Sequence, residues 1–265
     1  MKFKSSFLKA LLFLLVTLLF SCEKTPFEVN SGKENTTTKT ETNISMVGEA
    51  HNYLVEKTYQ VLQKEYPEGL KNNKKWNMSR VVNLVVKATN IAIKEDPSLG
   101  GLLTFDLDTL NCDFNYFTDE EFISNLENLN PTEKYLNCVS LLLTVDNISY
   151  TETFDFFNTI ESKASSLPEE EKNSILAGIS TGKSSLNYWN KSSAKWFKMI
   201  NPNADFDRSN ASNIGKEDVK GAVAGAIGGS GILPGAGSAG GAVVVGSAMS
   251  SIECIFIALE MIGWL

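Results

Sequence analysis

The chain of 265 residues contains one histidine, His51. Histidine triads and multi-histidine metal sites are thereby excluded. Basic charge is also short, with 24 Lys and Arg against 31 Asp and Glu and a formal net charge of −7. An acidic chain repels phosphate backbones, which argues against nucleic acid as a partner and against simple electrostatic adhesion to anionic lipid. Strand patterning is scarce, confined to a short stretch at Leu102–Leu107. Calcium loops are missing as well. Asp106, Asp108 and Asp113 cluster, as do Asp205 and Asp207, but the turn glycine and closing carboxylate that such loops need are replaced by Asn111 and Phe117, and by Asn210 and Lys216. These acids read as solvated loop residues.

What is present begins with an address. Lys2, Lys4 and Lys9 form a basic start, and Ala10–Phe20 is apolar apart from Thr17. The run is too short for a permanent membrane span and reads as an export signal over residues 1–21. Its end, Leu19-Phe20-Ser21-Cys22, resembles the bacterial lipoprotein lipobox. That resemblance implies cleavage before Cys22, diacylation of its thiol, and attachment to the membrane through lipid at the cell envelope. Removing the signal takes three lysines and no acid, so the mature chain is more acidic still. Residues 22–44, rich in Thr, Asn and Glu, read as a disordered tether. Three further cysteines remain: Cys112, Cys138 and Cys254. In an oxidising compartment Cys112 and Cys138 form a candidate disulfide, with two unpaired core thiols as the alternative.

From residue 45 to 215 the pattern is helical. Val47, Ala50, Leu54, Thr58, Val61 and Leu62 recur at three and four residues and stop at Pro67. Val81, Leu84, Val85, Ala88, Ile91 and Ala92 repeat the pattern up to Pro97. Thr118 and Glu121 have capping-box spacing, and Asn130 before Pro131 reads as an N-cap followed by proline at the first helical position. Further helices are expected over Tyr150–Ser165 and from Pro168 to about Lys195. The fold class is therefore all-α, a multi-helix bundle.

Two stretches in this region suggest chemistry. Ala177–Ser184 satisfies a relaxed phosphate-loop pattern, but PEEEKNSIL before it starts a helix where that loop needs a strand. It reads as a helix with a Gly178/Gly182 contact face, which leaves no enzyme and no cofactor implied. His51 lies one turn from Val47 and Leu54, and reads as a core or boundary histidine, with a functional base as the alternative. Trp189, Trp196 and Phe197 alternate with Lys191, Lys195 and Lys198. Either they form a membrane-interface face together with Trp264, or they are the buried side of an ordinary helix.

The last segment, 216–265, is unlike the rest. Ten of the nineteen glycines fall between Lys220 and Ser251. Five of them between Gly221 and Gly231 cost a helix on the order of 5 kcal/mol, so no isolated helix survives there in water. The spacing is nonetheless ordered. Gly221, Gly225 and Gly229 step by four, and after Pro234-Gly235 so do Ser238, Ala242, Gly246 and Ser250. Two small-residue ridges on either side of a Pro-Gly turn describe a helical hairpin with closely approaching backbones. The first arm, Val219–Leu233, reaches about 22 Å, short of the roughly 30 Å hydrocarbon core. Glu253 and Glu260 follow the second arm, which makes the hairpin a poor permanent span.

This segment resembles the glycine-zipper hairpins of bacteriocin-like peptides. Its Asp218-x-x-Gly221-Ala222-x-x-Gly225-Ala226 start is similar to the C-terminal part of a group of Bacteroidetes lipoproteins. The resemblance implies either membrane activity or a structural hairpin. The leading expectation is a lipid-anchored, non-catalytic envelope protein, a structural or binding module packed around its own hairpin. The second is a membrane-active effector whose hairpin inserts into bilayers.

Overall fold

The computed structural model describes residues 46–68, 70, 76–96, 118–144, 150–200, 209–230 and 236–261. The expected signal, Cys22, the tether, Cys112, the Leu102–Leu107 stretch, the two aspartate clusters and Trp264 lie outside them. Among the described residues there are eight helices and no strand, an all-α bundle. In chain order they are α1 (Val47–Glu65), α2 (Met78–Glu95), α3 (Asp119–Glu127), α4 (Glu133–Leu142), α5 (Tyr150–Ala164), α6 (Glu169–Ile200), α7 (Ser209–Ser230) and α8 (Ala236–Met261).

Local chemistry explains most of the boundaries. The α1 helix gives way at Tyr66, just before Pro67. At the start of α2 the Asn77 side chain accepts from the Arg80 amide at 2.9 Å. The capping box at α3 is complete: the Glu121 amide donates to Thr118 Oγ1 at 3.2 Å and the Thr118 amide to Glu121 Oε2 at 3.1 Å. The expected cap of α4 moves by two residues. Asn130 takes a left-handed conformation (φ 53°), so Thr132 caps instead and accepts from the Tyr135 amide at 3.2 Å. Glu171 of α6 then accepts from both the amide and the hydroxyl of Thr132, at 2.7 and 2.6 Å, tying that turn to the start of the long helix.

The 32-residue α6 is about 48 Å long and spans two cores. Its first half places Ile175 and Ile179 with Phe122, Leu126, Tyr135, Val139, Leu142, Phe157 and Ile160 of α3–α5. Its second half places Trp189, Trp196, Phe197 and Ile200 with the apolar faces of α1, α2 and α8. The α7 helix serves both cores: Val219 and Val223 join the first, Ala222 and Ala226 the second. The expected boundary at 215/216 falls inside α7, whose two faces belong to both cores.

The two arms α7 and α8 pack antiparallel. Gly221 lies against the Gly246 backbone, where an added methyl would sit 2.8 Å from Gly246 Cα. Gly225 lies against Gly241, where a methyl would overlap the carbonyl. Glycine is required at both points because the opposing atoms are backbone and cannot turn aside. Gly178 and Gly182 open a similar groove on α6, which Val219, Val223 and Phe157 fill. The Gly240–Met261 part of α8 is long and apolar enough to cross a membrane, and 83% of its most apolar stretch is buried inside the protein.

Candidate functional site

Where α1, α6, α7 and α8 meet, the core contains a polar cluster with no exposed atom. His51, on the stripe of α1 that also carries Leu54 and Val55, points inward and is fully buried. Ser185 and Trp189, one turn apart on α6, come from the second side, Asp218 from α7, and Ser250 from α8; all are 0% exposed.

The hydrogen bonds fix the protons. Asn52 Nδ2 donates to the Ser184 carbonyl at 2.9 Å, so Asn52 Oδ1 is the atom facing His51 Nδ1 at 3.0 Å. An amide oxygen only accepts, which makes Nδ1 the donor. The other ring nitrogen, Nε2, then faces Asp218 Oδ1 at 3.7 Å, beyond hydrogen-bond distance, and neither of these buried atoms has a hydrogen-bond partner. The second carboxylate oxygen of Asp218 is fully engaged. It accepts from Ser185 Oγ and, at 3.2 Å, from Trp189 Nε1, whose proton is shared with Ser250 Oγ at 2.9 Å. Burial alone would lower the His51 pKa, but the Asp218 charge, helped by Asn52 and the Gly246 backbone, raises it above the ordinary 6.5. Ser247 of α8 adds a hydroxyl bond to the His51 carbonyl at 3.1 Å, and a methyl on Gly246 would touch the imidazole ring at 3.2 Å.

This order of groups is not that of a nucleophilic triad. There the imidazole stands between hydroxyl and carboxylate and takes the hydroxyl proton. Here the carboxylate stands between Ser185 and His51, so the hydroxyl is a donor to Asp218 and its oxygen is not activated. The arrangement ties three helices to α1 through a buried imidazole and carboxylate.

Two further charged clusters flank it. Lys220 of α7, 6% exposed at its side chain, reaches Asp119 Oδ1 at 2.8 Å and Glu217 Oε1 at 2.6 Å, while Lys216 meets Asp119 Oδ2 at 2.5 Å. Burial would raise the Asp119 pKa, but the two lysines hold it below the usual carboxylate value. On the other side Glu56 accepts from Lys195 and, at 2.9 Å, from Tyr188, with the Lys195 ammonium 4.7 Å from the Tyr59 ring centroid.

The residues singled out by sequence divide as follows. Gly221, Gly225, Ala242 and Gly246 lie in the seam between the hairpin arms, where Gly241 also belongs. Ser250, assigned to the same ridge, binds Trp189 of α6 instead. Gly229 and Ser238 are helical positions of α7 and α8. Trp189, Trp196 and Phe197 are 0% exposed, which selects the buried side of an ordinary helix over a membrane-interface face: α6 runs between α1 and the hairpin, so its aromatics point into protein. Cys138 is a buried thiol in the α3–α5 core, and burial pushes its pKa up; its candidate disulfide partner, Cys112, lies outside the described residues. Ala177–Ser184 lies within α6, so its amides are spent on helix bonds and form no phosphate cradle. Asp218 and Ser185 escaped sequence reasoning. The one signal was the aspartate three residues before Gly221, whose partner His51 only the folded chain supplies.

No family model, no curated protein and no solved structure matches this chain. Its described residues form an all-helical bundle around the glycine-rich arms α7 and α8, with a buried His–Asp pair.

Proposed function

We propose that the chain is a lipid-anchored protein of the bacterial envelope, held by acyl chains on Cys22, and that its helical domain is a non-catalytic structural or binding module whose core is its own hairpin. The observation that carries the reading is the burial of charge on the hairpin: Glu217, Asp218, Lys220 and Glu253 are each at most 6% exposed. Asp218, Glu217 and Lys220 meet partners from α1, α3, α6 or each other. Insertion into lipid would strip those partners away. At about 2.5–3.5 kcal/mol per charged residue at the centre of a bilayer helix, the four together cost on the order of 10 kcal/mol.

The full chain carrying Cys22→Ala is expected to purify as a soluble monomer in which residues 216–265 resist protease. Rapid cleavage within 216–261 overturns the reading. The apolar length of Gly240–Met261 favours a second reading, a membrane-active effector that releases the hairpin into a bilayer. Dye leakage from liposomes separates the two. The core reading expects none over a range of pH and lipid composition, and leakage that depends on the hairpin transfers the argument to the effector.

A further inference from the structure

We propose that His51 and Asp218 form a protonation-dependent clasp that fastens the α7–α8 hairpin to α1, closed while the imidazole carries its second proton and loosened when that proton leaves. The inference rests on the reading of the hairpin as core and adds the device that controls its attachment. Geometry carries it. Because the Ser184 carbonyl orients Asn52, and Asn52 makes His51 Nδ1 a donor, a neutral ring can only turn a lone pair toward Asp218. Two facing acceptors, Nε2 and Oδ1, then stand 3.7 Å apart with no water-accessible surface. A proton on Nε2 turns that opposition into an ion pair. Ser185 and Trp189 leave Oδ1 free by occupying Oδ2.

The groups that face His51 come from four helices, and beside Asp218 on α7 stands Glu217, whose pKa burial raises although Lys220 opposes the rise. From α1 comes Asn52, from α6 Ser184, Ser185 and Trp189, from α7 Asp218, and from α8 the Gly246 backbone and Ser250. Cys254 of α8, influenced by Glu253 and Asp218, has a thiol that burial pushes well up, so it stays protonated and neutral. A histidine whose folded pKa exceeds its unfolded value adds stability that is complete below about 6.5 and falls as pH rises toward the folded value. One proton limits the effect to about tenfold in the opening constant per pH unit.

The test is hydrogen exchange of the full chain read by mass spectrometry on peptides from 214–226 and 240–259, each rate divided by its intrinsic rate at that pH. The clasp predicts that hairpin opening rises up to tenfold per pH unit above about pH 6.5 and then levels. In His51→Gln the profile is expected to be flat. Since the chain holds one histidine, its imidazole signal in the wild-type NMR spectrum is unambiguous. The midpoint of hairpin opening must coincide with the midpoint of that titration, which tests the proposal even if the variant fails to fold. A protected hairpin with no pH dependence, a slope that survives in His51→Gln, or an imidazole titrating at or below 6.5 overturns the clasp and leaves the core reading standing. A hairpin that exchanges freely at every pH overturns the core reading and the clasp together.

Discussion

Replacing Gly225 by alanine adds one methyl group to α7 at the point where that helix comes nearest to α8. The new carbon would overlap the Gly241 carbonyl oxygen, lie 2.5 Å from the Gly241 carbonyl carbon and 3.0 Å from the Ala242 nitrogen, where ordinary contact begins at 3.4 Å. All three atoms are backbone, so relief requires the arms to part by about 1 Å, and that movement loosens the whole seam. Overpacking of this kind costs about 1–3 kcal/mol, and the upper part of the range applies because no rotamer change can absorb it. Against it stands the helix propensity of alanine, about 1 kcal/mol better than glycine. The net expectation is a loss of about 2 kcal/mol. Gly215→Ala, in the same helix, is the matched control. It collects the same propensity gain, meets the flexible end of Leu186 at 3.3 Å and touches Ser185 Oγ in ordinary contact at 3.8 Å, so its stability should be unchanged or rise by up to about 1 kcal/mol. Urea denaturation of both full-length variants, followed by far-ultraviolet circular dichroism, measures the difference of about 3 kcal/mol. If Gly225→Ala proves as stable as Gly215→Ala, the arms do not approach as described, and the packing argument for the glycines fails.

Other consequences are equally direct. Trp189→Phe removes the donor shared by Asp218 and Ser250 while keeping most of the ring, and should cost about 1–3 kcal/mol by urea midpoint; a neutral result would mean that the buried carboxylate is satisfied without the indole. Asp119, held below its ordinary pKa of 3.8 by Lys216 and Lys220, contributes stability that is present above that value and is lost as pH falls through the folded one. The urea midpoints of wild type and Asp119→Asn should therefore differ near neutrality and converge in acid, and a gap that persists in acid would locate the effect elsewhere. Cys138 and Cys254, both buried thiols, should take up an alkylating reagent only after denaturant is added, as read by peptide mapping, and labelling of Cys254 in the native state would place α8 outside the core.

Much of the fold was legible because local chemistry enforces it. The stripes of α1 and α2, the stop at Pro67 and the Thr118–Glu121 box each act within a few residues, and the structure keeps them. Asn130 misled because Asn before Pro has two uses: as an N-cap, or in the left-handed conformation it adopts here two residues upstream of the real cap. The aromatics of α6 were ambiguous for a different reason. Tryptophans interleaved with lysines describe an interfacial helix and a core helix with snorkelling lysines equally well. Only the packing of α1 and the hairpin around them decides. Lys195 illustrates the second case, its ammonium reaching back to Glu56 and Tyr59 while Trp196 beside it is 0% exposed. The His51–Asp218 pair was illegible in principle, since nothing in either neighbourhood refers to the other.

The polar cluster also answers a difficulty that the glycine seam creates. Small residues repeating every four on both arms let backbones meet, but they do so almost as well after a slip of one helical turn, since small residues again fall opposite small residues. Apolar burial is non-directional and distinguishes such registers poorly. Directional groups distinguish them well. A one-turn slip of α8 moves Ser250 by about 6 Å from Trp189 and takes the Gly246 backbone off the His51 ring, leaving buried polar groups unpaired at about 1–3 kcal/mol each. A slip of α7 removes Asp218 from His51, Ser185 and Trp189 at once, and separates Lys220 from Asp119. The glycines thus set how near the arms come, and the buried charges set where along each other they stop. A sequence selected for a bilayer has no use for the second device, because lipid offers Asp218 and Lys220 no partner in any register.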